Sequence, residues 1–213
     1  MRLPIQITAL LISIGTVAQN LPRTRITTVP SQFIFLEIPI TIERSVGRST
    51  IGISAGYRPG VKQSGMIDGR GGYHLQNYWN FAYNNFTLGL IHKYHLRDRF
   101  GLHVETSVLY RQWWFDRKRI GYDGDGTFDA VRSEDQRVFI LKAVLGKSIM
   151  WQRSGRPIFI LEYFAGPSIR WKTFRFTTHS GTIDGSEVID HLEEGSIWSP
   201  GLQIGLRLGI GLE

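Results

Sequence analysis

His103, Glu105 and Ser107 stand at alternate positions of one stretch and supply a base, an orienting acid and a hydroxyl, the parts of a nucleophilic hydrolase or acyltransferase. Their spacing argues against assembly. Residues two apart share one face of an extended chain but lie about 7 Å apart along it, too far for a direct Ser-His hydrogen bond. His179 and Ser180 are adjacent, yet they fall in a polar connection with nothing beside them to fix their geometry. No catalytic residue is assigned, and no enzymatic activity is expected.

GYDGDGTFD, Gly121 to Asp129, gathers Asp123, Asp125 and Asp129 around glycines, as hard-cation loops do. The register fails. With Gly126 as the turn glycine, the first ligand position falls on Gly121 and the last on Arg132, which leaves the pattern of a solvated Asp-Gly turn. His92 and His95, three apart on a strand, point to opposite faces. His179 and His191 sit among Asp184, Asp190, Glu193 and Glu194 in a stretch expected to be a solvated loop. Without cysteine there are no disulfides or thiolate sites, and no metal or cofactor is expected.

A third set has a better physical account. Glu37, Glu105 and Glu162 stand with Lys93, Arg111, Lys142, Arg170 and Arg207 on the polar side of alternating segments. Inside a narrow tube such charges must pair, because an unpaired buried charge is costly. They are expected to form a crossed ion-pair network that plugs the tube.

Those residues are positioned by segments of period two, in which successive side chains take opposite faces. Seven are evident: Phe33 to Arg44, Ser49 to Arg58, Tyr83 to Leu96, Phe100 to Trp114, Gln136 to Trp151, Pro157 to Lys172 and Ile197 to Glu213. All reach the roughly 9 to 11 residues of a tilted membrane strand. Leu21 to Val29, short and basic, is the candidate for an eighth, since single-chain bacterial barrels use even numbers. Tight turns alternate with three long polar stretches, predicted to be loops of roughly 19 to 24 residues, longer than compact soluble domains favour.

Periodicity alone does not say which face looks outward. The aromatic residues do. Tyr57, Tyr83, Trp113, Trp114, Trp171 and Trp198 fall at the long-loop ends of their segments, and Tyr94, Phe100, Trp151 and Phe159 at the short-turn ends. Two girdles around an aliphatic band match the two interfaces of a bilayer. Glycines on the polar side, such as Gly52, Gly146 and Gly205, make room for long side chains crossing a narrow interior. Each greasy side chain would cost roughly 1.5 to 3 kcal/mol exposed to water, and no amphipathic helix is available to cover them.

The opening MRLPIQITALLISIGTVAQN has Arg2, an apolar run from Ile5 to Val17 and small residues at Thr16 and Ala18. This is the layout of a cleaved signal peptide over residues 1–19, its apolar run short of the ~20 residues of a spanning helix. Residues 20–213 then form one domain. The formal net charge of +7 is dispersed, with no basic helix or RNA-binding aromatic motif, so no nucleic-acid partner is expected.

In its leader, its alternation, its turn-and-loop lengths and its closing GLQIGLRLGIGLE, the chain resembles the small eight-stranded outer-membrane barrel proteins of the OmpA/OmpX-like kind. The resemblance implies an antiparallel up-and-down transmembrane β-barrel in the outer membrane of a Gram-negative bacterium, with short periplasmic turns and three long extracellular loops. It implies a monomer surrounded by outer-membrane lipid, inserted by the barrel assembly machinery, with any ligand at the outer loops. One departure is the end: such chains commonly finish on an aromatic residue read by that machinery, and this one finishes on Leu212-Glu213. The expected role is structural or surface-interactive; the alternatives are a membrane-rim lipid-modifying enzyme and a soluble periplasmic lipocalin-like ligand carrier.

Overall fold

The computed structural model describes residues 23–35, 37–60, 67–68, 83–97, 101–121, 128–153, 156–183 and 186–212. Eight strands follow in chain order: β1 (Thr24–Thr28), β2 (Ile38–Val46), β3 (Ser49–Arg58), β4 (Asn84–Arg97), β5 (Leu102–Gly121), β6 (Phe128–Arg153), β7 (Arg156–Ile183) and β8 (Ser186–Leu212). Each pairs antiparallel with the next, and β8 pairs with β1, so the sheet closes into a ring. A two-residue strand, Ile67–Asp68, runs parallel to the end of β5.

The register fixes the shape of the ring. From Thr27 the partners run through Thr41, Ser54, Gly89, Leu109, Ile140 and Arg170 to Ser199. Thr27 itself pairs with Gly209, ten residues further along β8. With strands about 4.8 Å apart and a rise of about 3.35 Å per residue, that offset gives a strand tilt of about 41° and a radius of roughly 8 Å. Such an interior holds side chains and little else.

Alternation holds through most of β2, β3, β4 and β5 and lapses in the outer parts of β6 and β8, as along Val131–Asp135 and Ile189–Trp198. In β2 the exposure pattern switches residue by residue, with Ile38, Ile40 and Ile42 outside and Thr41 and Glu43 inside. Pro167 stands in the wall where the β6–β7 ladder lapses between Lys142↔Ser168 and Leu145↔Ala165, because proline has no N–H to donate. Beside it a Cβ on Gly166 would lie 2.4 Å from the Ala143 carbonyl oxygen, so only glycine allows the two backbones to approach.

Three expectations are corrected, on one strand start and two loops. The strand expected to begin at Phe33 begins at Ile38, and Pro30–Phe35 forms a 3-10 turn. That turn is closed by Gln32 N–H donating to the Val29 carbonyl at 3.0 Å and Glu37 N–H donating to the Gln32 carbonyl at 3.1 Å. The expected eighth strand lies within Leu21 to Val29, as Thr24–Thr28, and it closes the ring. Finally, the second and third expected loops are largely strand, because β5 and β6 extend to Gly121 and Phe128, and β7 and β8 to Ile183 and Ser186. Their polarity reflects water on both faces of a projecting sheet, where hydrophobic alternation has no reason to persist. Residues 1–22, Phe100, Asp123 and Asp125 lie outside the described residues.

Candidate functional site

Side chains on the inner face of the ring meet across an interior too narrow for bulk water. Lys93, Glu105 and Glu162 are 0% exposed. Lys93 Nζ lies 2.7 Å from Glu43 Oε1 and donates to Glu162 at 2.9 and 2.7 Å. Arg207 grips Glu105 with two nitrogens, one at 2.9 Å, and its Nη1 also donates to Glu162. Lys142 Nζ reaches Glu105 at 2.9 Å. Arg25 Nε stands 3.6 Å from Glu43 and its Nη2 donates to Thr50 Oγ1 at 2.8 Å, which in turn contacts His95 Nε2 at 3.0 Å.

The network therefore draws on all eight strands, with Thr50 as the contribution of β3. Phe164 supplies a floor, its ring 4.7 Å from Lys142 Nζ and 4.4 Å from the Arg207 guanidinium. Glycine makes the packing possible. A Cβ at Gly52 would lie 2.7 Å from Glu43 Cγ, and one at Gly146 2.3 Å from His103 Nε2.

Toward the projecting ends a second layer centres on Glu37. Its carboxylate accepts from Thr87 Oγ1 at 2.6 Å, Asn85 Nδ2 at 3.0 Å and Arg111 Nη2 at 3.1 Å. Buried Arg58 donates from Nη2 to the Tyr83 carbonyl at 3.3 Å. At the mouth Tyr83 donates to Glu134, which also accepts from Gln136 at 3.1 Å and pairs with Arg132 at 3.2 Å. Burial and the Glu134 charge raise the Tyr83 pKa well above its ordinary value, so the phenol stays a donor. An apolar cluster of Tyr83, Trp113, Phe115, Val138 and Ile140 fills the space beside it.

Of the expected charge set, Glu37, Lys93, Glu105, Arg111, Lys142, Glu162 and Arg207 are buried inside the ring. Arg170 also faces inward, half-buried, and its Nε has no hydrogen-bond partner among the described residues. Arg25, Glu43, Thr50, Arg58 and His95 belong to the same interior and were not anticipated. Glu43 had a signal, since it shares parity with Glu37 and Thr41; Arg25 had little, because only two inward positions of β1 show the pattern.

The girdles need correction at two positions. Tyr83 and Trp113 turn inward and are buried. In a Trp-Trp pair one ring must take each face, and Trp113 shares parity with Arg111, while Tyr83 shares it with Asn85 and Thr87. Tyr57, Tyr94, Trp151, Phe159, Trp171 and Trp198 are on the outer face, as is the half-buried Trp114. Near the projecting ends, rings succeed one another around five strands: Trp114, Phe86, Tyr110, Phe139, Trp171 and Trp198, with neighbouring centroids 4.9 to 5.9 Å apart. Trp151 and Phe159 pair at 5.3 Å near the short-turn end.

His103, Glu105 and Ser107 share the inner face without forming a relay. The ring nitrogens of His103 face the Gly101 carbonyl at 3.3 Å and Glu162 at 3.8 Å, and Glu105 is held by Arg207 and Lys142. His103, Glu105 and Glu162 bring ligand atoms within 4.8 Å of one another. A divalent cation there would meet Lys93, Lys142 and Arg207, already bound to the same carboxylates. No protein-family model, curated protein or solved structure matches the chain, so geometry carries the functional argument.

Proposed function

We propose that the chain is an integral β-barrel of the outer membrane of a Gram-negative bacterium, sealed by its own interior, with a structural or surface-interaction role. The observation that carries this is inversion. The interior is charged, while the outer wall is aliphatic and bare: Leu90, Leu202 and Ile204 are 64%, 68% and 74% exposed. Such a surface is stable against hydrocarbon, and a closed sheet meets the demand that backbone groups in lipid be paired. Aromatic rings at both ends of the belt suit the interfaces.

A soluble ligand carrier would need the opposite arrangement, with its apolar face around a cavity. Here ion pairs occupy that place. The sealed interior favours a role outside the lumen, and the ends of β5 to β8, which run past the girdle, are the surface such a protein presents. The short turns would face the periplasm.

The test is expression in a Gram-negative host. The protein is expected in the outer-membrane fraction, with faster migration on gels unless boiled, and without large stable current steps in planar bilayers. A monomer that stays folded and soluble without detergent would overturn the proposal.

A further inference from the structure

The aliphatic belt is broken by a polar notch on the outer face of β2, β3 and β4. There the register sets Arg44 against Ile51 and Ile51 against His92. Ser49, two residues before Ile51 and on the same face, is a diagonal neighbour of both, at about 7 to 8 Å. Arg44 and His92 are exposed. The His92 ring leans toward the short-turn end, where its Nε2 lies 3.4 Å from Ser49 Oγ.

The notch lies at a defined depth. Arg44 precedes Gly47, in the turn between β2 and β3, by three positions. At a rise of about 3.35 Å per residue and a tilt of about 41°, that is about 8 Å in from the turn. Tyr94, on the outer face at the short-turn end, pairs directly with Ser49. From this depth the long stem of Arg44 carries its guanidinium to the interface.

No carboxylate of the protein answers that cation. Among the described residues the Arg44 side chain has no ion pair or hydrogen bond. Between the two aromatic rows the described outer wall carries no acid, because Glu37, Glu43, Glu105 and Glu162 all face inward. A charge on a lipid-facing wall requires a partner or water, and the anions a bilayer offers at its interface are headgroup phosphates. The guanidinium fork suits two phosphate oxygens, and the Ser49 hydroxyl and His92 ring add a donor each. A headgroup ammonium finds nothing there to receive it, which favours a lipid of net negative charge. We infer that Arg44, Ser49 and His92 form a binding site for the phosphate of one anionic phospholipid in the leaflet on the short-turn side. The site rests on the membrane reading above, because a bilayer sets headgroups at this depth.

The experiment uses the purified full-length protein in maltoside micelles, titrated with dioctanoyl phosphatidylglycerol while the amide signals of Ser49, Ile51 and His92 are followed by NMR. One saturable site is expected, with dioctanoyl phosphatidylcholine about tenfold weaker. Arg44→Gln lowers the affinity about tenfold and Arg44→Lys recovers part of it, while His92→Leu weakens it about threefold. Lys147 is the other cation of the outer wall, on β6 opposite Leu102 and Tyr163, and Lys147→Gln leaves the titration unchanged. Equal binding of the two lipids, or no change in Arg44→Gln, overturns the proposal. So does an equal loss in Lys147→Gln, which would mean diffuse attraction to a basic wall, or an equal response to inorganic phosphate, which would mean a site for the free ion. Unboiled gel migration of each variant reports folding, and loss of that signature in the unmodified protein would mark failure of the membrane reading instead.

Discussion

Arg207 joins Glu105 and Glu162 and lies against Phe164, so its loss leaves two carboxylates buried with too few partners. Arg207→Leu is expected to destabilise the protein by about 3 to 5 kcal/mol, measured by urea unfolding in vesicles followed by tryptophan fluorescence. Glu193→Ala, which removes the half-exposed partner of Arg132, should cost no more than about 1 kcal/mol in the same assay. Space matters as much as charge. Gly146→Val drives a methyl group into the buried His103 ring and should cost about 1 to 3 kcal/mol. At this scale the sequence was informative wherever a strand was long enough to show parity. Glu37, Lys93, Glu105 and Glu162 could be placed on one face because apolar neighbours mark the other. Tyr83 and Trp113 lie at segment ends, where a girdle is expected, but share parity with the inward Asn85 and Arg111, and parity decides the face.

Among the elements, β1 has the most consequence for its length. Five residues close the ring, with Ile26 paired to Ile42 on one side and Ile210 on the other. Ile26→Pro removes one ladder donor, which on the proposed membrane reading has no water to replace it, and the expected outcome is loss of the fast-migrating unboiled form. The sequence showed this strand only through parity arithmetic, since LPRTRITTV has a single apolar residue among the outward positions of β1. The same limit hid the outer halves of β7 and β8. Side chains such as Arg175, Thr177, Glu187 and His191 carry no face preference where water lies on both sides, so a paired hairpin looks like a loop.

For the molecule as a whole, one substitution at two heights separates the membrane reading from its rivals. Leu90→Arg, in the middle of the belt, should cost about 2 to 4 kcal/mol in a bilayer. Leu192→Arg, on the projecting part of β8, should change stability by no more than about 0.5 kcal/mol. Denaturant titrations in vesicles make the comparison, and equal effects would remove lipid from the account of the belt. The narrow bore follows from the strand number and the register offset, neither of which a single sequence displays. Closure carries a further consequence for biogenesis. Arg25 comes from the first strand and Arg207 from the last, and Glu43, Glu105 and Glu162 depend on them. A half-wound wall would hold those anions against oil without their counter-ions. On the membrane reading proposed above, insertion would then be a single committed event in which the polypeptide enters already curled end to end.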